Sequence, residues 1–137
     1  MFPSKEADVT PHLRSGFSLL LVEDDSELAG VMSRWAAWVG VNMDAAARGG
    51  DALRLVMEKS YDAVLLDLSL PDMAGPAVYE RLVELCPVLG SRIIILTGGA
   101  VNGAAEAFLD GTSCPVVLKP FDLVSLAHQI AQVDQAA

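Results

Sequence analysis

Two stretches of unbroken apolar side chains constrain this chain most: residues 63–66 within YDAVLLDL and residues 93–96 within RIIILT. Each is long enough for a strand and far too short to span a membrane. A strand that is apolar on successive residues must be buried on both faces, and that environment exists in the middle of a parallel sheet covered by helices on either side. The rest of the chain has to supply those helices and the remaining strands.

It does so in regular alternation. Residues 18–22 form a first apolar run, followed by Leu28, Val31, Met32, Trp35, Trp38 and Val39 at helical spacing. Ser26 or Asp25 can cap that helix and Gly40 can end it. A short strand is expected over 41–45 and a helix over 50–59 with Leu53, Val56 and Met57 turned inward. The strand 61–68 precedes a helix over 76–85 with proline in its first turn. The strand 92–97 precedes a weaker helix near 104–109, and a strand at 116–119 leads to a last helix capped by Asp122. That helix carries Leu123, Leu126, Ala127, Ile130 and Val133 on its inner stripe. Five strand signals alternating with five helix signals predict a three-layer α/β sandwich around a parallel sheet.

At 137 residues the chain holds one domain of this kind. Residues 1–16, which mix charge, proline and glycine without period, are expected to be a flexible leader, and 17–134 the domain. The formal charge of −9 opposes a nucleic-acid backbone, so no direct nucleic-acid partner is expected, and no segment is apolar enough for membrane insertion. Cys86 and Cys114 show neither a staple pattern nor metal spacing, which suits the cytoplasm. His12, His128, Trp35 and Trp38 read as structural residues.

In a parallel α/β sheet, ligands bind beyond the carboxyl ends of the strands. There the first strand delivers Glu23, Asp24 and Asp25, the third Asp67, the fourth Thr97 and the fifth Lys119. One such aspartate alone would be an ordinary turn or cap residue, but the convergence of all of them at one edge is not ordinary. Three carboxylates, Glu23, Asp24 and Asp67, need neutralising. Hard oxygen ligands of this kind suit Mg²⁺, completed by a backbone carbonyl from Ser69, and the Lys119 ammonium offsets the remaining charge. A carboxylate neutralised in this way can attack a phosphoryl group, with the metal, Lys119 and the Thr97 hydroxyl stabilising the transferring oxygens.

The segments LLLVEDD, AVLLDLSLPDMAG, IIILTGG and VVLKPF, in this order, resemble the four signature segments of the receiver domain of bacterial two-component response regulators. The separations, 30 residues from Asp67 to Thr97 and 22 from Thr97 to Lys119, also fit. The resemblance implies a flavodoxin-like (β/α)5 fold with strand order 2-1-3-4-5. It implies Glu23 and Asp24 as the acidic metal pair, Asp67 as phosphoacceptor, Thr97 as switch hydroxyl, Lys119 as phosphate partner and a cis Lys119–Pro120 bond. It also implies a signalling domain rather than an enzyme with a turned-over substrate. The phosphodonor is then a histidine kinase or histidine phosphotransfer protein, and the output a downstream protein whose identity the sequence does not give. A stand-alone receiver and one similar to the C-terminal receiver of hybrid histidine kinases are both compatible with it.

Two departures stand out. Three residues before Lys119, where receivers often carry Tyr or Phe, this chain has Val116, whose stiff side chain has no ring to relocate. Gly98 and Gly99 follow Thr97 and free the backbone leading to the fourth helix. A phosphorylation-independent interaction domain, or pseudo-receiver, is therefore the alternative. A haloacid-dehalogenase-type phosphatase fits less well, because Ser69 stands where that chemistry wants a second aspartate.

Overall fold

The computed structural model describes residues 13–98 and 103–136. Residues 1–12 of the expected leader, His12 among them, lie outside that range, as do residues 99–102 with Gly99. The elements alternate as expected: β1 (Ser18–Val22), α1 (Ser26–Val39), β2 (Asn42–Ala46), α2 (Gly49–Glu58), β3 (Ala63–Asp67), α3 (Gly75–Leu85), β4 (Ile93–Thr97), α4 (Gly103–Gly111), β5 (Val116–Leu118) and α5 (Leu123–Ala136). The five strands are parallel, in the order β2-β1-β3-β4-β5.

The apolar runs of β3 and β4 occupy the centre, with every residue of both strands buried. Successive side chains on a strand point to opposite faces, so each run feeds two cores. Leu19, Leu21, Leu65, Ile94 and Leu96 pack beneath α1 and α5, against Met32, Trp35, Leu126 and Ile130. Leu20, Val64, Leu66, Ile93 and Ile95 pack on the other face with Ala52, Val78, Leu82 and Ala105 of α2, α3 and α4.

Local signals account for several element ends. The Asp25 carboxylate accepts from the Glu27 and Leu28 amides at the start of α1, and Gly40 closes that helix at φ 83°, where a residue without Cβ is unstrained. At the start of α5, Asp122 accepts from the Ser125 amide at 2.7 Å.

Three details differ from the sequence expectation. Met57 is 71% exposed rather than inward. The stripe of α2 is set by Ala52, Leu53, Leu55 and Val56, and at 3.6 residues per turn Met57 falls on its flank. A 3₁₀ turn at Pro87–Ser91 links α3 to β4 and buries Leu89. The edge strand β5 is only three residues long and leaves Val116 and Leu118 on the surface.

Candidate functional site

The parallel strands end together, and their register decides what meets. Val22 pairs with Leu66, Asp67 with Leu96, and Thr97 with Leu118. The residues that follow Val22 and Leu118 therefore emerge beside Asp67 and Thr97. Glu23 is fixed there by its amide on the Ala46 carbonyl, and Lys119 by its amide on the Thr97 carbonyl. The Lys119–Pro120 peptide bond is cis.

One carboxylate oxygen from each of Glu23, Asp24 and Asp67 lies within 4.8 Å of the others. Glu23 and Asp67 are buried and Asp24 is exposed, so the cluster opens to solvent on one side. The Lys119 ammonium donates to Glu23 Oε1 and lies 3.4 Å from Asp67 Oδ2. The Ser69 amide donates to Asp67 Oδ1 at 3.1 Å, and the Asp25 amide to Glu23 Oε2 at 3.1 Å. Thr97 is buried at the end of β4.

The electrostatics follow from this geometry. Burial pushes the Glu23 carboxyl above the usual carboxylate range, against the opposing pull of the Lys119 hydrogen bond and the Asp25 amide. Burial also draws the Lys119 ammonium down, but Glu23 and Asp67 outweigh it and hold the proton on the lysine. Three ionised carboxylates facing one ammonium leave a formal excess of two negative charges, which a divalent cation cancels. Oxygen ligands, partial exposure and that excess fit a hard cation.

An open groove of about 650 Å³ runs from Asp24 along the β3–α3 loop, past Ser69, Asp72 and Gly75, to Ala105 on α4. It opens beside Asp24, the exposed member of the acidic cluster. The loop is closed at its base by the Gly75 amide on the Leu68 carbonyl and by an antiparallel bridge between Ser69 and Ala74.

The sequence matches the family model described as the response regulator receiver domain over residues 19–131. The chain belongs to the response regulator receiver family. It is 32% identical to the protein Rrf1 of Nitratidesulfovibrio vulgaris over 118 residues, covering 86% of this chain and 80% of that protein. It is 34% identical to two-component system protein A of Emericella nidulans over 105 residues, covering 74% of this chain but only 15% of that much longer protein. Among solved structures it resembles the receiver domain of a sensor histidine kinase from Pseudomonas aeruginosa, described with a magnesium ion coordinated in the active-site cleft. The TM-score is 0.76 and the identity 26%, covering 88% of this chain and 99% of that one.

Receivers as a family are phosphoacceptor signalling domains, and the fold of this chain is the flavodoxin-like arrangement expected from the sequence. No helix among the described residues is long and apolar enough to cross a membrane. Of the residues expected at the site, Glu23, Asp24, Asp67 and Lys119 converge directly, while Asp25 serves as the cap of α1. Val116 stands 40% exposed on β5. The sequence reading did not single out Asp72, whose carboxylate holds the tip of the β3–α3 loop to α2.

Proposed function

We propose that the domain accepts a phosphoryl group on Asp67 in a Mg²⁺-dependent reaction and signals through protein–protein contacts. The observation that carries this reading is the clustering of the Glu23, Asp24 and Asp67 carboxylates within 4.8 Å, with the Lys119 ammonium 3.4 Å from Asp67 Oδ2. Asp24 and Asp67, supported by Glu23 and the Ser69 carbonyl, would hold the cation. When bound, Mg²⁺ supplies charge neutralisation and polarisation of the phosphoryl oxygens.

The chain's own groups do the remaining work. The Ser69 amide fixes one oxygen of Asp67 and so sets the plane of the carboxylate. An Asp67 oxygen attacks phosphorus of a donor phosphohistidine as the P–N bond breaks. The ring nitrogen keeps the bonding pair, and because the other ring nitrogen of the donor carries a proton, the ring leaves as neutral imidazole. Lys119, held protonated by its acidic neighbours, offsets charge on the transferring oxygens. The Thr97 hydroxyl, at the end of the adjacent strand, is the candidate donor to one of them. The donor is a histidine kinase or histidine phosphotransfer protein, and these donors place the reaction in the cytoplasm.

Val116 in the position of the usual aromatic gives the alternative reading its footing: a pseudo-receiver that binds partners without phosphorylation. Intact mass after incubation with acetyl phosphate separates the two. A single Mg²⁺-dependent phosphoryl adduct, lost in Asp67→Asn, is expected. If neither acetyl phosphate nor any partner kinase gives an adduct, the pseudo-receiver reading replaces this one.

A further inference from the structure

Helix α2 starts without help from its own sequence. Its N-cap is Arg48, in extended backbone with no side-chain cap bond, so its first amides need acceptors from elsewhere. They find them in Asp72, at the tip of the β3–α3 loop: Oδ1 accepts from the Gly49 amide at 2.8 Å and Oδ2 from the Gly50 amide at 3.0 Å. A carboxylate spanning two amides at a helix N-terminus is well matched in both hydrogen bonding and charge. The amides hold the Asp72 carboxyl below the usual carboxylate range.

The approach is close because the chain is bare at two points. A Cβ on Gly49 would lie 2.7 Å from the Val78 side chain and 3.1 Å from the Met73 sulfur, so a side chain there would push α2 off the loop and α3. A Cβ on Gly75 would lie 2.5 Å from the Leu68 Cα. The loop is therefore pinned at both its base and its tip. Ser69, whose amide orients Asp67, sits at the base, bridged to Ala74 and three residues before Asp72 at the tip.

We propose that Asp72 is a positioning residue for phosphoryl acceptance. By anchoring the loop tip to α2, it fixes the Ser69 amide that orients Asp67 and the Ser69 carbonyl offered to the cation. This rests on the reading of Asp67 and its neighbours as a cation-dependent phosphoacceptor site. Linkage makes the effect reciprocal, so filling the cation site tightens the Asp72 contact with Gly49 and Gly50.

The test is calorimetric titration of the full chain with Mg²⁺ in wild type, Asp72→Ala and Asp72→Asn, each checked for folding by circular dichroism. Asp72→Ala is expected to weaken Mg²⁺ binding about tenfold, the usual scale for removing a group that orients a ligand. Asp72→Asn, which keeps one acceptor oxygen, is expected to recover part of the loss. A purely local capping role would lower the melting temperature and leave Mg²⁺ affinity alone. Amide exchange gives a readout that does not depend on any variant folding: in wild type, Mg²⁺ is expected to slow exchange at Gly49 and Gly50. The proposal is overturned if Asp72→Ala titrates like wild type, or if the two amides exchange at the same rate with and without Mg²⁺. A wild type that binds no Mg²⁺ would instead sink the cation site itself, and this proposal with it.

Discussion

The two ends of the sheet handle charge in opposite ways. Where the strands begin, Arg14 bridges Asp62 at 2.9 Å and Asp134 at 2.7 Å. Arg92 donates to the Asp62 carbonyl and lies 3.7 Å from Asp134. The other oxygen of Asp62 takes the Ser18 amide. Two cations and two anions balance, and the network ties the lead-in to β1 to α5 and to the starts of β3 and β4. Where the strands end, three carboxylates cluster, and Lys119 reaches two of them, Glu23 and Asp67. The chain can neutralise its charges when only stability is at stake, so the end left unbalanced is the one shaped for something that arrives from solution.

The strongest way to break that contrast is to remove the acceptor. Asp67→Asn is expected to abolish the phosphoryl adduct in the mass spectrum. It should also raise the melting temperature in the absence of divalent cation, because one of three crowded carboxylates is gone. Lys119→Met removes the ammonium while Asp67 remains. Phosphoryl uptake from acetyl phosphate, followed by mass against time, is expected to slow on the order of 10²-fold or more, the scale seen when one preorganised charge-stabilising donor is lost.

Cation binding sharpens the contrast from the other side. Mg²⁺ at about 100 times its dissociation constant is expected to stabilise the fold by about 2.7 kcal/mol, read as a rise in melting temperature. Asp67→Asn is expected to lose most of that gain. At the balanced end, Arg14→Ala is expected to lower the melting temperature slightly at low salt, with the difference shrinking as salt is added. Its rate of phosphoryl uptake is expected to match wild type.

The smallest effect is the pH dependence of the balanced end. The hydrogen bond from Arg14 holds the Asp134 carboxyl below its ordinary value of 3.8. A carboxylate with a lowered folded pKa contributes stability above the unfolded value and loses it as pH falls through the folded one. Acid unfolding of wild type is therefore expected to steepen below about pH 4, and Asp134→Asn to flatten that limb.

Elements with local signals were legible in the sequence to within a residue or two. Helix α1 shows why: a capping aspartate, a helical stripe and a left-handed glycine are all local properties of one segment. The convergence of Glu23, Asp24, Asp67 and Lys119 was equally legible, because parallel strands place their ends at one edge whatever the loops do. Contacts made across the sequence were not. Arg14 finds Asp134 across 120 residues and Asp72 finds Gly49 across 23, and no periodicity links either pair. Met57 failed for a different reason: helical spacing identifies a stripe but not where its edge meets solvent.

The distance in sequence between Glu23 and Lys119, 96 residues, has a consequence for biosynthesis. The carboxylates of the cluster are all translated by the end of β3, but the neutralising ammonium of Lys119 follows the last residue of β5 and so comes after all five strands. A nascent chain halted before β5 would hold the repulsion without its remedy. On the reading of Asp67 as phosphoacceptor, competence to take up phosphate would then report that the last strand has docked.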